Sequence, residues 1–171
     1  MTDEMTSALA ASGPRPEHKE ALALYGRLAG TWDVRNKYFD ESNGTWVNGT
    51  VVWTFGWILA GQAVQDVMWF TREDGIRSTG STVRLYDPAA DVWHVVWFSP
   101  FGTTCTLTGR PGANGDIVQE GVRLDGRPIR WLFTEVTDDS FRWLGYVSDD
   151  AGETWRFEQE MLAARQTDRS Q

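Results

Sequence analysis

The chain has 171 residues, the length of one domain; 41% of them are hydrophobic, enough for a core, and 23% are charged, an ordinary share. A formal net charge of −8 argues against a nucleic-acid groove, which needs a basic stripe to displace counterions. It also argues against adsorption to an anionic membrane, while leaving room for a neutral or cationic small ligand.

Residues 1–15 are small and polar, and are expected to form a disordered tail. They hold no apolar stretch of signal-peptide length. No segment reaches the roughly 18 apolar residues of a spanning helix. The single cysteine, Cys105, permits no internal disulfide, as suits a reducing compartment. A cytoplasmic protein, without nucleic-acid or membrane partners, is the expectation. Pro16 and Glu17 then open a helix. Ala21, Leu24, Tyr25 and Leu28 follow the spacing of one apolar face, and Gly30 is expected to cap the helix end.

Everything after Gly30 reads as strands and turns. Strands are expected over 31–39, 45–55, 58–70, 78–86, 91–99, 102–109, 117–124, 129–136, 141–148 and 154–162. Short strands with turn signals about every 8–12 residues mean a sandwich or a barrel. The meander has no long connection for a Greek key, and no strand carries the central proline of a protected edge. The fold class is therefore all-β: a closed antiparallel up-and-down β-barrel of about ten strands with one short N-terminal helix. The barrel domain spans 16–163, with a polar tail over 164–171.

Three motifs stand in order along this meander. Gly30-Thr31-Trp32 opens the first strand just after the helix. Trp57-Ile58-Leu59-Ala60-Gly61 opens the third, and Ser148 to Trp155 precedes the last. Together they resemble the calycin superfamily: lipocalins, fatty-acid-binding proteins and nitrobindins. The closest likeness is to calycin-like bacterial barrel proteins. The resemblance covers roughly residues 20–163 and implies a closed barrel with an internal cavity, whose floor Trp32 closes. The Ser148 to Trp155 segment also matches the Asp-box hairpin of sialidase propellers. A single copy excludes a propeller, and Asp150 is expected to brace the turn through backbone amides.

The composition is unusual in one respect: ten tryptophans. Large flat side chains on nearly every strand suit an aromatic-lined pocket, and about ten strands leave room for one. Alternation places Trp131, Phe133 and Glu135 on one face, Phe141 and Trp143 on another, and Trp155, Phe157, Gln159 and Met161 on a third; all are assigned inward. Trp53 and Trp97 join the expected lining. The 58–70 strand is ambiguous, since either face brings a polar group inside, Asp66 or Gln65. An inward Asp66 needs a partner, for which Arg123 and Arg130 are candidates. The expected ligand-binding set is thus Trp53, Asp66, Trp97, Trp131, Phe133, Glu135, Trp143 and Gln159.

The strand over 91–99 is apolar on both faces, so its outer face needs a cover: the helix or, by preference, a second subunit in a homodimer. If the next turn centres on Pro100-Phe101, His94 faces Leu107 and has Cys105 as diagonal neighbour, within reach of a Cys–His pair. There is no phosphate loop, dinucleotide fingerprint, serine elbow or clustered metal-ligand set. Neither a cofactor nor a metal is expected. The nitrobindin likeness would imply haem, but that group's histidine lies near the C-terminus and here none follows His94. The leading expectation is a binding protein that sequesters a small hydrophobic or aromatic molecule inside the barrel. The alternative is a small cyclase or isomerase acting on a hydrophobic metabolite, with Asp66, Glu120 or Glu135 as its acid.

Overall fold

The computed structural model describes residues 2–167; Met1 and the last four residues of the expected polar tail lie outside the described residues. Ten strands close into one antiparallel barrel: β2 (Gly30–Asp40), β3 (Thr45–Ile58), β4 (Ala63–Arg72), β5 (Arg77–Asp87), β6 (Val92–Phe98), β7 (Thr104–Pro111), β8 (Ile117–Val122), β9 (Pro128–Thr134), β10 (Ser140–Val147) and β11 (Arg156–Arg165). Each pairs with the next in sequence, and β11 pairs with β2 to close the ring. The segment expected to be a tail instead carries a helix, α1 (Thr2–Leu9), and a two-residue strand, β1 (Ala10–Ala11). β1 takes up the end of β3 beyond β2, pairing Ala10 with Ile58. No helix among the described residues is long and apolar enough to cross a membrane.

The second helix starts with a 3₁₀ turn at Pro16–His18 and continues as α2 (Lys19–Gly26). It plugs one end of the barrel. Leu22, Tyr25 and, just past the helix, Leu28 are fully buried, and the Tyr25 ring packs edge-on against Trp93, 4.7 Å between centroids. The helix ends at Gly26 rather than at Gly30. Gly30 instead opens β2 with a φ of +124°, and a Cβ there would meet Arg165 Nη1 at 2.5 Å. The positive φ demands glycine.

Several boundaries differ from expectation. Ile58 ends β3, and Leu59, Ala60 and Gly61 are all left-handed, so this motif is the turn between β3 and β4. The β6–β7 loop pairs Phe98 with Thr104 and is closed by Ser99 N–H donating to Thr103 O. Its centre is therefore Phe101, one half-step past the expected point. His94 accordingly pairs with Thr108 and Cys105 with Trp97. His94 is exposed and Cys105 half-buried, on opposite faces of the sheet, which removes the Cys–His pair.

The last hairpin holds a β-bulge between Gly145 and Tyr146. Gln159 pairs with Gly145 and Phe157 with Tyr146. Gln159 and Met161 point inward. Phe157 instead joins Tyr146 and the 40%-exposed Trp46 on the outside. Trp155, also expected inward, precedes β11 and lies under the outward Arg130 guanidinium, 4.2 Å from its ring centroid. The Asp-box turn is built as expected. Thr154 N–H donates to Asp150 Oδ1 at 2.8 Å, and Gly152 N–H to Ser148 Oγ at 2.7 Å.

Candidate functional site

The barrel interior is layered. At the plugged end Trp32, Phe141, Phe133, Trp53 and Phe55 pack ring against ring, with neighbouring centroids 4.7–5.6 Å apart. Such pairs add to the area term about 0.5–1.5 kcal/mol each. Trp32 anchors this floor: its Nε1 donates to Leu28 O at 2.8 Å, and the Arg165 guanidinium lies 4.0 Å over its ring.

Above the floor, on the side away from α2, is an internal cavity of about 90 Å³. It opens toward the end of the barrel opposite α2. Four tryptophans line it: Trp53, Trp97, Trp131 and Trp143. Trp131 and Trp143 stand together on one wall, 5.6 Å apart. Trp97 reaches over Gly80 of β5 opposite, where a Cβ would come within 2.2 Å of the outer edge of its ring; glycine leaves room for that indole. Met68, Phe70 and Met161 complete the apolar lining, and Thr82, Arg84 and Gln159 supply polar groups.

The floor of the cavity is charged. Asp66 and Arg84 are 0% and 2% exposed, and Arg84 Nη1 donates to Asp66 Oδ2 at 2.6 Å. Thr82 N–H donates to Asp66 Oδ1 at 2.9 Å. Arg84 Nε donates to Gln119 Oε1 at 3.3 Å, and Tyr25 O–H donates to the same oxygen at 3.0 Å. A polar chain thus runs from β4 through β5 and β8 to α2. Its guanidinium sits among the rings of Tyr25, Phe55 and Phe133, 5.2–5.6 Å from their centroids. Burial pushes the Tyr25 phenol far above its ordinary value, against the pull of Arg84, so it stays a neutral donor. Two buried polar atoms in this region lack a partner among the described residues: Trp53 Nε1 and Gln119 Nε2.

Of the residues expected to bind a ligand, Trp53, Trp97, Trp131, Trp143 and Gln159 stand on the cavity wall. Asp66 points inward, with Arg84 as its partner rather than Arg123 or Arg130. Arg130 lies outside, held by Glu120. Phe133 is fully buried in the ring stack below the cavity. Glu135 is not inside: β9 ends at Thr134, Glu135 turns at φ +53°, and its carboxylate is 69% exposed, 3.6 Å from Arg142. Extending the alternation one residue past the sheet produced that error. Of the candidate acids, then, Glu120 and Glu135 face solvent and Asp66 is committed to an ion pair.

Arg84 and Thr82 were missed. Val83 and Leu85 look like the inward face of β5, yet they face outward. The available signal was register. A hairpin centred on Asp74 pairs Asp66 with Thr82, which places Arg84 diagonally across the same face. Neither histidine reaches the cavity. His94 Nε2 lies 3.1 Å from Asp87 on the outer surface, and His18 packs edge-on to Tyr86 beside the plug. Among the described residues no group of three or more His, Cys, Asp or Glu side chains is placed to hold a metal ion. Cys105 is partly buried, and that burial raises its thiol above the ordinary value, toward the unreactive form.

No family model and no curated protein matches the chain. Solved structures do. The S-type phycobiliprotein lyase CPES from Guillardia theta superposes with a TM-score of 0.62 at 9% identity, covering 90% of this chain and 99% of that one. Rv2717c from M. tuberculosis superposes with a TM-score of 0.65 at 14% identity, covering 86% of this chain and 98% of that one. At such identities the likeness is one of fold: a closed antiparallel barrel.

Proposed function

We propose that this protein binds a small, largely apolar molecule inside its barrel and shields it from water. The observation that carries this reading is the cavity: four indoles and two thioethers around a space inside the barrel that opens at one end. Cores close-pack when nothing else is to be held, and concave, mostly aromatic sites with a few convergent polar groups are what small-molecule sites look like. The charged floor supports the same reading, since a buried ion pair contributes little to stability by itself. Membership of the calycin superfamily belongs to this proposal too.

A cyclase or isomerase in the same cavity is the second reading, and the lyase among the structural neighbours favours it. Among the described residues it lacks a free acid inside the barrel, since Asp66 is ion-paired and the other two candidates face solvent. Titration of the full chain with a panel of one-ring and two-ring apolar probes, read by tryptophan fluorescence, tests the binding reading. Saturable quenching that Trp143→Ala weakens supports it. Absence of saturable binding by every probe would overturn it.

A further inference from the structure

We propose that Gly80 sets the size of the molecule the cavity admits: its missing side chain lets the Trp97 indole lie back along the barrel wall, and a Cβ there closes the site to a ring-sized ligand. This rests on the cavity being a binding site, and names the residue that decides what fits it.

Gly80 stands inside a strand, in register with Met68 of β4. The inward face of β5 alternates through Gly80, Thr82 and Arg84, all buried. The backbone of Gly80 is not in the left-handed region that favours glycine. A glycine inside a strand costs backbone entropy and offers nothing to pack, so its use here is the space above it.

Trp97 fills that space. Its backbone pairs with Thr82, and its ring reaches diagonally from β6 across β5 toward Phe70 of β4, edge-on at 6.3 Å between centroids. A Cβ on residue 80 would lie 2.2, 2.8 and 2.9 Å from Cη2, Cζ2 and Cζ3 of that ring. Carbon atoms rest about 3.5–4.0 Å apart, so the outer edge of the indole would retreat by about 1.3 Å. The Cβ points into the lumen with the β5 backbone behind it, so the retreat carries the ring inward.

The cavity has no width to lose. An apolar cavity of roughly 150 Å³ accepts benzene, and this one is about 90 Å³, so a single ring fits only with its edge in the mouth. Gly145, on the wall of Trp131 and Trp143, offers the contrast. A Cβ there would meet Trp143 at 3.0 Å and Gln159 Cβ at 3.4 Å, a contact that a small shift relieves.

The test titrates toluene and naphthalene into the ¹⁵N-labelled full chain while the indole N–H signals are followed. The wild type is expected to bind toluene more tightly than naphthalene. Gly80→Ala should weaken toluene binding about tenfold or more, and Gly145→Ala should stay within about threefold of the wild type. Adding Trp97→Phe to Gly80→Ala removes the edge that collides, and should bring toluene back to within about threefold of the wild type. Trp97→Phe alone keeps Gly80 and widens the space, and should raise naphthalene affinity about tenfold; it reports even if Gly80→Ala fails to fold. Toluene binding to Gly80→Ala as tightly as to the wild type, or more tightly, would overturn the assignment and leave the cavity reading standing. So would a double variant as weak as the single one, since the loss then does not pass through Trp97, or an unchanged naphthalene affinity in Trp97→Phe. If neither probe perturbs any indole signal of the wild type, the binding reading itself falls, and this inference with it.

Discussion

Arg84 and Asp66 meet at 2.6 Å inside the barrel, on adjacent strands, with 2% and 0% of their side chains exposed. Removing one partner leaves the other as a buried uncompensated charge, which typically costs about 3–5 kcal/mol. Asp66→Leu is expected to lose stability on that scale in urea unfolding. The double variant Asp66→Leu with Arg84→Met should recover most of the loss, because an apolar pair of similar volume needs no desolvation. A double variant as unstable as the single one would show that the pair holds the barrel together rather than furnishing its cavity.

The barrel itself was legible because turn chemistry and alternation repeat along the chain. Asn43-Gly44, Glu73-Asp74-Gly75 and Asp125-Gly126 all stand at hairpin tips, as expected. The site was legible where a strand obeys alternation to its end, as for Trp131 and Trp143. It was not legible where the sheet stops early or slips. Glu135 lies one residue past the last pair of β9. Phe157 is turned outward by the bulge between Gly145 and Tyr146, which no residue pattern announces. Arg84 was hidden by an inversion of the usual rule, since Val83 and Leu85 face out so that a cation can face in.

Arg165 holds the plugged end closed. Its guanidinium stacks on Trp32 at 4.0 Å, and its Nη1 and Nη2 donate to Ala29 O at 2.7 Å and Arg27 O at 3.1 Å. It thereby satisfies carbonyls left over where α2 runs into β2. Arg165→Ala should cost about 2–3 kcal/mol, a cation–π contact plus charge-assisted hydrogen bonds. Arg165→Lys should recover only part, since an ammonium cannot stack and fork together. A loss below about 0.5 kcal/mol, ordinary for a surface substitution, would mean that Arg165 is merely resting on the floor.

The homodimer through residues 91–99 stands as a proposal. Val96 of β6 pairs with Val83 of β5 on the outer face, both half-buried, and Phe98 beside them is 47% exposed. Light scattering of the full chain is expected to give about twice 19.3 kDa, because an apolar strip on a sheet is what a second copy covers. Val96→Asp should return it to a monomer with the barrel intact by circular dichroism. A wild-type monomer would end the proposal.

Acid should loosen the open end before the plugged one. Glu41, in the β2–β3 turn, accepts from Arg127 Nη2 at 2.8 Å and from Arg156 Nη2 at 2.8 Å, tying three hairpin tips together. Those hydrogen bonds, Arg127 first, pull its carboxyl from 4.5 down to about 2. A depressed carboxyl contributes stability that is complete above the unfolded value and is lost as pH falls through the folded one. The window is therefore from about 4.5 down to about 2. Glu41 is 38% exposed, so solvent screening leaves the contribution at about 1 kcal/mol or less. Glu158 has the opposite sign. Burial raises its carboxyl despite Arg123 at 3.0 Å, so its charged form costs stability above its folded value. That cost is relieved as pH falls toward 4.5. The two windows lie on either side of the ordinary glutamate value and are separable. Urea midpoints measured from neutral pH downward should fall across the lower window in the wild type. In Glu41→Gln they should start lower and fall less steeply there, with the upper window unchanged. Added salt should shrink the difference. Parallel curves for the two proteins would show that the Glu41 contacts are too solvated to bind the hairpins together.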